Sequence, residues 1–177
     1  MKQSTEQARI LKLIADRSTP VVKLDIGCGA SKQGPEWIGI DFQPLHGVDI
    51  VHDIEVYPWP LPDKCIHLAV ASHVAEHINP AKFGFVNWLN EVHRIMVPGG
   101  RFMLANPYAG SHGDYQDPTH INHINETTWT YFDPLHPNNF YRFYRPAPWK
   151  IISCSWDQQG FMETVLEARL RDKSYEA

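Results

Sequence analysis

The chain has 177 residues, 43% of them hydrophobic and 20% charged, with a formal net charge of −4. That length suits one domain over residues 1–177 that buries a full core without disulfides or metal, and the acidic balance argues against nucleic acid as the partner. Cys28, Cys65 and Cys154 are too scattered for a disulfide framework or a zinc–cysteine site and suit a reducing cytoplasm; no run is apolar enough to span a membrane, and no signal pattern opens the chain.

From Thr5 to Arg17, apolar residues at Ala8, Leu11, Ile14 and Ala15, with Ile10 and Leu13 beside them, recur at helical spacing. They predict an N-terminal helix, within residues 1–19, packed on a sheet edge. Val21 to Ile26 is a short apolar run that breaks at Gly27-Cys28-Gly29, the pattern of a buried parallel strand leaving its sheet through a tight turn. Trp37 to Ile40 is a second strand stopping at Asp41. Val48 to Val51 is a third, stopping just before Asp53, so each strand delivers a carboxylate to one edge. The connection Ala30 to Glu36 is shorter than the dozen or so residues a crossover helix needs, so that helix is expected to be cut to a turn or lost.

Glu55 to Lys64 is proline-rich and reads as a surface loop. Cys65 to Ser72 is apolar on both faces and reads as a central strand. Asn79 and Pro80 read as the cap and first residue of a helix to about Met96, with Phe83, Val86, Leu89, Val92 and Met96 as its buried stripe. Val97-Pro98-Gly99-Gly100 stops that helix, and Arg101 to Ala105 is the next strand. Asn106 to Asn125 is a long polar excursion of the kind that carries function, opening a substrate-side insertion over residues 106–148. A short helix starts at Asn125 and carries Trp129, Tyr131 and Phe132, and Pro134 to Pro148 is irregular. Lys150 to Trp156 and Phe161 to Leu170 form a closing hairpin, the second strand buried mainly on one side.

Leu24-Asp25-Ile26-Gly27-Cys28-Gly29, Gly39-Ile40-Asp41, His52-Asp53-Ile54-Glu55, Leu61-Pro62-Asp63, Ser72-His73-Val74-Ala75-Glu76-His77 and Val97-Pro98-Gly99-Gly100-Arg101-Phe102 stand in an order that resembles class I S-adenosylmethionine-dependent methyltransferases. The resemblance covers roughly residues 20–105 and extends to the closing hairpin. It implies a Rossmann-like α/β sandwich of three layers around a seven-stranded, mostly parallel sheet whose last strand is antiparallel. It implies S-adenosylmethionine (SAM) as cofactor: Asp25, Gly27 and Gly29 at its methionine end, Asp41 on both ribose hydroxyls, and Asp53 with the Ile54 backbone at the adenine. Ser72 and His73 would lie beside the sulfonium and the acceptor, and Cys28 and Phe42 complete the implied set. Ser31 stands where the longer glycine motif has a third glycine. The activity implied is methyl transfer to a small-molecule or glycan-like acceptor.

Two histidine-bearing stretches have competing readings. His73-Val74-Ala75-Glu76-His77 spells the His-x-x-Glu-His zinc-protease pattern, but that site needs a sustained helix, whereas here a strand precedes and Asn79-Pro80 follows; no metal site is assigned. Residues 112–123 hold His112, Asp114, Asp117, His120 and His123, which suit general bases, metal ligands or a self-bonded turn. His120, Asp117 and His73 are the candidate catalytic groups. Trp129, Tyr131, Phe132, Phe140, Tyr141, Phe143 and Tyr144 either wall an acceptor pocket or cover a sheet face, and Arg142 and Arg145 either hold an acceptor anion or are solvated. Two rival functions remain: a SAM-binding protein without catalysis, and a metallohydrolase built on the histidines.

Overall fold

The computed structural model describes residues 2–16 and 20–176. Its strands are β1 (Lys23–Ile26), β2 (Trp37–Asp41), β3 (Ile50–Val51), β4 (Ile66–Ser72), β5 (Met96–Pro107), β6 (Trp149–Trp156) and β7 (Phe161–Ala168). They join in one sheet of order β3-β2-β1-β4-β5-β7-β6. Only β7 runs antiparallel to its neighbours, as the resemblance implies, and the hairpin with β6 sets it there. The strand order reverses between β1 and β4, which opens a crevice at the carboxyl ends of the parallel strands.

Pairing register assigns the two faces. Ile38, Leu24, Ala69, Phe102 and Leu166 lie in one row and Ile40, Ile26, Ala71, Leu104 and Thr164 in the next, all buried. Helix α2 (Gly84–Ile95) packs there, its Trp88 ring 5.7 Å from Phe102 and 5.9 Å from Phe85. The opposite face of β4, β5 and β7 presents Leu68, Val70 and Val165, half-buried, and Met103, exposed.

The buried stripe of α2 is Phe85, Trp88, Leu89, Val92 and Ile95: Leu89 and Val92 are buried as expected, and Met96 just beyond the helix is too, but Phe83 is exposed and Val86 only half-buried, which corrects the start of the stripe. The helix also begins later than expected. Asn79 Oδ1 accepts from the Ala81 amide, an Asx turn, and Lys82 and Phe83 then take left-handed backbone (φ 52° and 62°), so the chain re-aims before Gly84. Met96 already pairs with Ile66, and Val97-Pro98-Gly99-Gly100 bulges out of the ladder before Arg101 rejoins it opposite Leu68.

Helix α1 (Lys2–Ala15) buries Ile10 fully, with Leu13 and Ile14 half-buried, while Ala8, Leu11 and Ala15 face outward, so its apolar stripe is rotated from the expected one. Arg9 donates to the Asp49 carbonyl at 2.8 Å, which holds the helix against the β3 edge of the sheet. The expected helix end at Arg17, and the Ser18-Thr19 that follow, lie outside the described residues. The proline-rich stretch is irregular as expected but is not a surface loop throughout. Trp59 and Leu61 are buried, and the Glu91 carboxylate accepts the Trp59 amide at 2.6 Å while pairing with Arg94. Strand β7 ends at Ala168, two residues short of the expected Leu170, which is exposed.

The connections 27–36, 42–49 and 52–65 contain no helix, so the first crossover helix is lost entirely. Carboxylates hold these turns instead. Asp25 accepts the Gln33 amide (2.8 Å), Asp41 the Gly29 amide (2.9 Å), and Asp49 both the Gly39 amide (2.8 Å) and the Lys32 ammonium (2.7 Å).

Candidate active site

A cleft of about 360 Å³ opens at the carboxyl ends of β1, β2 and β4. Gly27, Asp41, Phe42, Asp53, Ile54 and His73 line it, six of the residues expected to meet a cofactor, together with His77, whose turn was expected to shape the pocket, and with Glu55, Val74 and Ile78, which were not singled out for it. Asp25, Cys28, Gly29 and Ser72 do not line it. Asp25 and Gly29 stand one step behind, shaping the turn. A separate hollow of about 440 Å³ sits among Asp63, Met96 and Pro98, at the amino ends of β4 and β5, away from the strand-order reversal.

At Gly27 the turn after β1 has no room for a side chain. Gly27 takes φ +64°, and a Cβ there would meet Val74 Cγ2 at 2.5 Å. Its amide donates to the Ile40 carbonyl, tying the turn to β2. Asp41, at the end of β2, is buried to 7% exposure yet lines the cleft. One of its oxygens accepts from Gly29 and the other from the Gln43 amide, both at 2.9 Å. Each carboxylate oxygen has a second lone pair, so Asp41 keeps acceptor capacity on both. Asp53 uses one oxygen for the Glu55 amide. Phe42, 66% exposed, offers an apolar face beside them.

Burial pushes the Asp25 carboxyl up, against the Gln33 amide and the Lys32 charge that favour its ionised form. Burial, with Asp25 and Asp41 nearby, also pushes the Cys28 thiol up to about 11, so it is no activated nucleophile. Cys65 is likewise pushed to about 11, by burial. Between the ordinary thiol value of 9.0 and about 11, the native chain therefore holds protons that the unfolded chain releases. The stability these thiols contribute is whole below the lower value and lost as pH rises through the upper one. Urea midpoints at about pH 8 and about pH 10.5 should show a steeper fall for the natural chain than for a Cys28→Ala, Cys65→Ala variant. An equal fall in both would refute this.

After β4 the backbone turns sharply. His73 has φ +54°, its amide donates to Ala105 at the end of β5, and its Nδ1 lies 3.2 Å from Glu76 Oε1. Ala75–His77 is a single 3-10 turn rather than the helix a zinc protease requires. The excursion folds back onto this turn: the Ile121 and Asn122 amides both donate to the Glu76 carbonyl, and the Asn122 side chain donates to Ala75. Within the excursion, helix α3 (His112–Gln116) carries buried Asp114, whose carboxylate accepts the Gly110 amide and meets His123 Nδ1 at 3.0 Å. Asp117 accepts from both the amide and the hydroxyl of Thr119, which holds its carboxyl below the usual range. His120 stacks edge-on to His77, ring centroids 4.8 Å apart, while His112 is exposed.

Helix α4 (Glu126–Thr130) starts at Asn125 with a capping box, as the sequence reading placed it. Its aromatic companions divide. Trp129 and Phe132 are buried in the core against Phe85, and Tyr141 is buried with its hydroxyl on the Pro146 carbonyl, whereas Phe143 and Tyr144 are exposed and group with Tyr131 and Phe140 away from the cleft. Arg142 stands 5.2 Å from the Phe143 ring. Among the described residues no helix is long and apolar enough to cross a membrane.

No family model and no curated protein matches the sequence. Solved structures match it in fold. A SAM-dependent methyltransferase from Archaeoglobus fulgidus superposes with a TM-score of 0.60 at 17% identity, over 93% of this chain and 94% of that one. A variant of the 16S rRNA (adenine(1408)-N(1))-methyltransferase from Catenulisporales acidiphilia, solved with SAM, gives 0.59 at 13% identity, over 94% and 93%. A chain from the complex of the Haloferax volcanii Trm112 methyltransferase activator with a putative methyltransferase gives 0.60 at 13%, over 95% and 92%. At these identities the likeness is one of architecture, and with its strand order, its glycine turn after β1 and its carboxylate closing β2, this chain has the class I fold of SAM-dependent methyltransferases.

Proposed function

We propose that the chain binds SAM in this cleft and transfers its methyl group to a small-molecule or glycan-like acceptor. The observation that carries the reading is Asp41: a buried carboxylate at the end of β2, already oriented by two backbone amides, with acceptor capacity left on both oxygens for a vicinal diol. The rest of the cleft fits the same ligand. Gly27 keeps the turn free of side chains for a close backbone approach, Phe42 and Ile54 offer apolar surface for a base, and Asp41, Asp53 and Glu55 complement a cationic sulfonium. When bound, SAM supplies an electrophilic methyl group.

The chain's own contribution is alignment. Holding the acceptor in line with the methyl can supply several kcal/mol, up to roughly ten, of the barrier. Of the three expected catalytic groups, His73 is the favoured base for the acceptor's proton. It lines the cleft, its Nδ1 is fixed on Glu76, and its Nε2 has no partner among the described residues. Asp117 is committed to Thr119, and His120, held on the Asp114 carbonyl, does not line the cleft.

Calorimetric titration of the folded protein with SAM, and separately with S-adenosylhomocysteine, tests the reading. Micromolar binding of both is expected, tighter for the demethylated product. Absence of both would overturn it.

A further inference from the structure

The sequence alone assigns no metal site, because a strand precedes His73-Val74-Ala75-Glu76-His77 and Asn79-Pro80 interrupts it, while residues 112–123 have metal as one reading of three. The fold nevertheless brings one donor atom from each of Glu76, His77 and His120 within 4.8 Å of the other two. Three further observations bear on what this cluster holds.

First, Glu76 is 1% exposed and its Oε2 has no hydrogen-bond partner, although its Oε1 is engaged by His73. A buried carboxylate oxygen without a partner is costly and calls for an ion or a donor in that place. Second, both imidazoles are fixed through Nδ1. His120 Nδ1 lies 3.1 Å from the Asp114 carbonyl, which only accepts, so Nδ1 carries the proton and Nε2 a free lone pair. His77 Nδ1 lies 3.0 Å from Thr119 Oγ1 and 3.3 Å from the Thr119 carbonyl. Thr119 already spends its hydroxyl proton on Asp117, so His77 Nδ1 is also the donor and its Nε2 the lone pair. Third, neither Nε2 has a protein partner among the described residues. Metal-binding histidines are held in this way, the second nitrogen donating to a carbonyl or carboxylate while the first faces the ion.

We infer that Glu76 Oε2, His77 Nε2 and His120 Nε2 form a binding site for a divalent transition-metal ion of the zinc, manganese or iron kind. Two imidazoles and one carboxylate are the donor set such ions take, with positions left open for further ligands. Asp117 and Thr119 are positioning residues here, acting on His77. An ion held there would also clamp the end of β4 to the polar excursion beyond β5. Because His77 and His73 wall the same cleft, the ion stands at its margin. Resting on the methyltransferase reading, the open positions would take an oxygen of the acceptor, which points to acceptors with a hydroxyl or carboxylate near the methylated atom.

The test uses the full chain, stripped by chelator and dialysed, then titrated with Zn2+ by calorimetry and with Co2+ by visible absorption. One equivalent is expected, with a cobalt spectrum that has intense d–d bands. Glu76→Gln, which keeps side-chain shape and the backbone carbonyl used by Ile121 and Asn122, and His120→Ala should each weaken binding by more than about a hundredfold. His112→Ala and His123→Ala, which remove histidines outside the cluster, should leave it unchanged. No stoichiometric binding, or binding removed by His123→Ala and not by Glu76→Gln, would overturn the site. SAM titration of the same stripped sample separates the two readings. Cofactor binding without metal binding overturns the metal site alone, and metal binding without cofactor binding overturns the methyltransferase reading alone.

Discussion

Titration of an Asp41→Ala variant with SAM is expected to give no measurable binding at concentrations that saturate the natural chain. Two hydrogen bonds from ribose hydroxyls to one carboxylate are lost, each worth about 1.5–3 kcal/mol, so affinity should fall by roughly two to four orders of magnitude. The substitution also frees the Gly29 and Gln43 amides that the carboxylate holds, so the glycine turn keeps only its backbone ties to Ile40 of β2. Asp41→Asn separates these effects. It keeps one carbonyl oxygen and should retain weak binding, between the natural chain and Asp41→Ala. Unchanged affinity in Asp41→Ala, with the protein shown to be folded, would remove the ribose assignment and with it the main support for the function.

The largest expected loss of stability comes from Trp88→Ala. Trp88 is fully buried between Phe85, stacked at an interplanar angle of 23°, and Phe102, crossed at 63°. Deleting a buried indole leaves a cavity the neighbours fill only in part, at a cost of about 3–5 kcal/mol. Trp88→Phe should cost far less, because Trp88 Nε1 is buried without an acceptor and its removal relieves an unpaired donor while most of the ring volume stays. Urea denaturation of the two variants checks both statements. A loss below about 1 kcal/mol for Trp88→Ala would mean that the α2 layer does not anchor the sheet in the way its burial indicates.

What could be read before folding depended on how local its cause was. The ends of β1 and β2 were legible because glycines and carboxylates interrupt short apolar runs within a few residues, and two of those interruptions, Gly27 and Asp41, line the cleft. The start of α2 was not. Asn79-Pro80 has the chemistry of a helix start, but the left-handed backbone at Lys82 and Phe83 delays the helix to Gly84, where a Cβ would lie 2.0 Å from the Asn79 carbonyl oxygen. Trp88, not Phe83, therefore sets the buried stripe. Trp59 and Leu61 were hidden by the prolines around them; Glu91 and Arg94, reaching from α2, hold the backbone of both in place. The meeting of Glu76, His77 and His120 depends on how the excursion folds back onto the β4 turn, which no periodicity encodes.

The half of the sheet around the cleft has carboxylate staples where helices would otherwise pack, and this divides the molecule by local stability. Opening the turns between Gly27 and Asp49 breaks a handful of bonds to Asp25, Asp41 and Asp49, whereas exposing Trp88 or Phe102 requires taking apart the buried core. The amides of Gly29, Gln33, Gly39 and Gln43 are thus the natural reporters of sub-global opening by hydrogen exchange. A ligand seated on Asp41 adds its own binding free energy to the cost of each such opening, in proportion to the logarithm of its concentration. Occupancy of the cleft would then be written in the solvent protection of four backbone protons, with the strands under α2 unaffected.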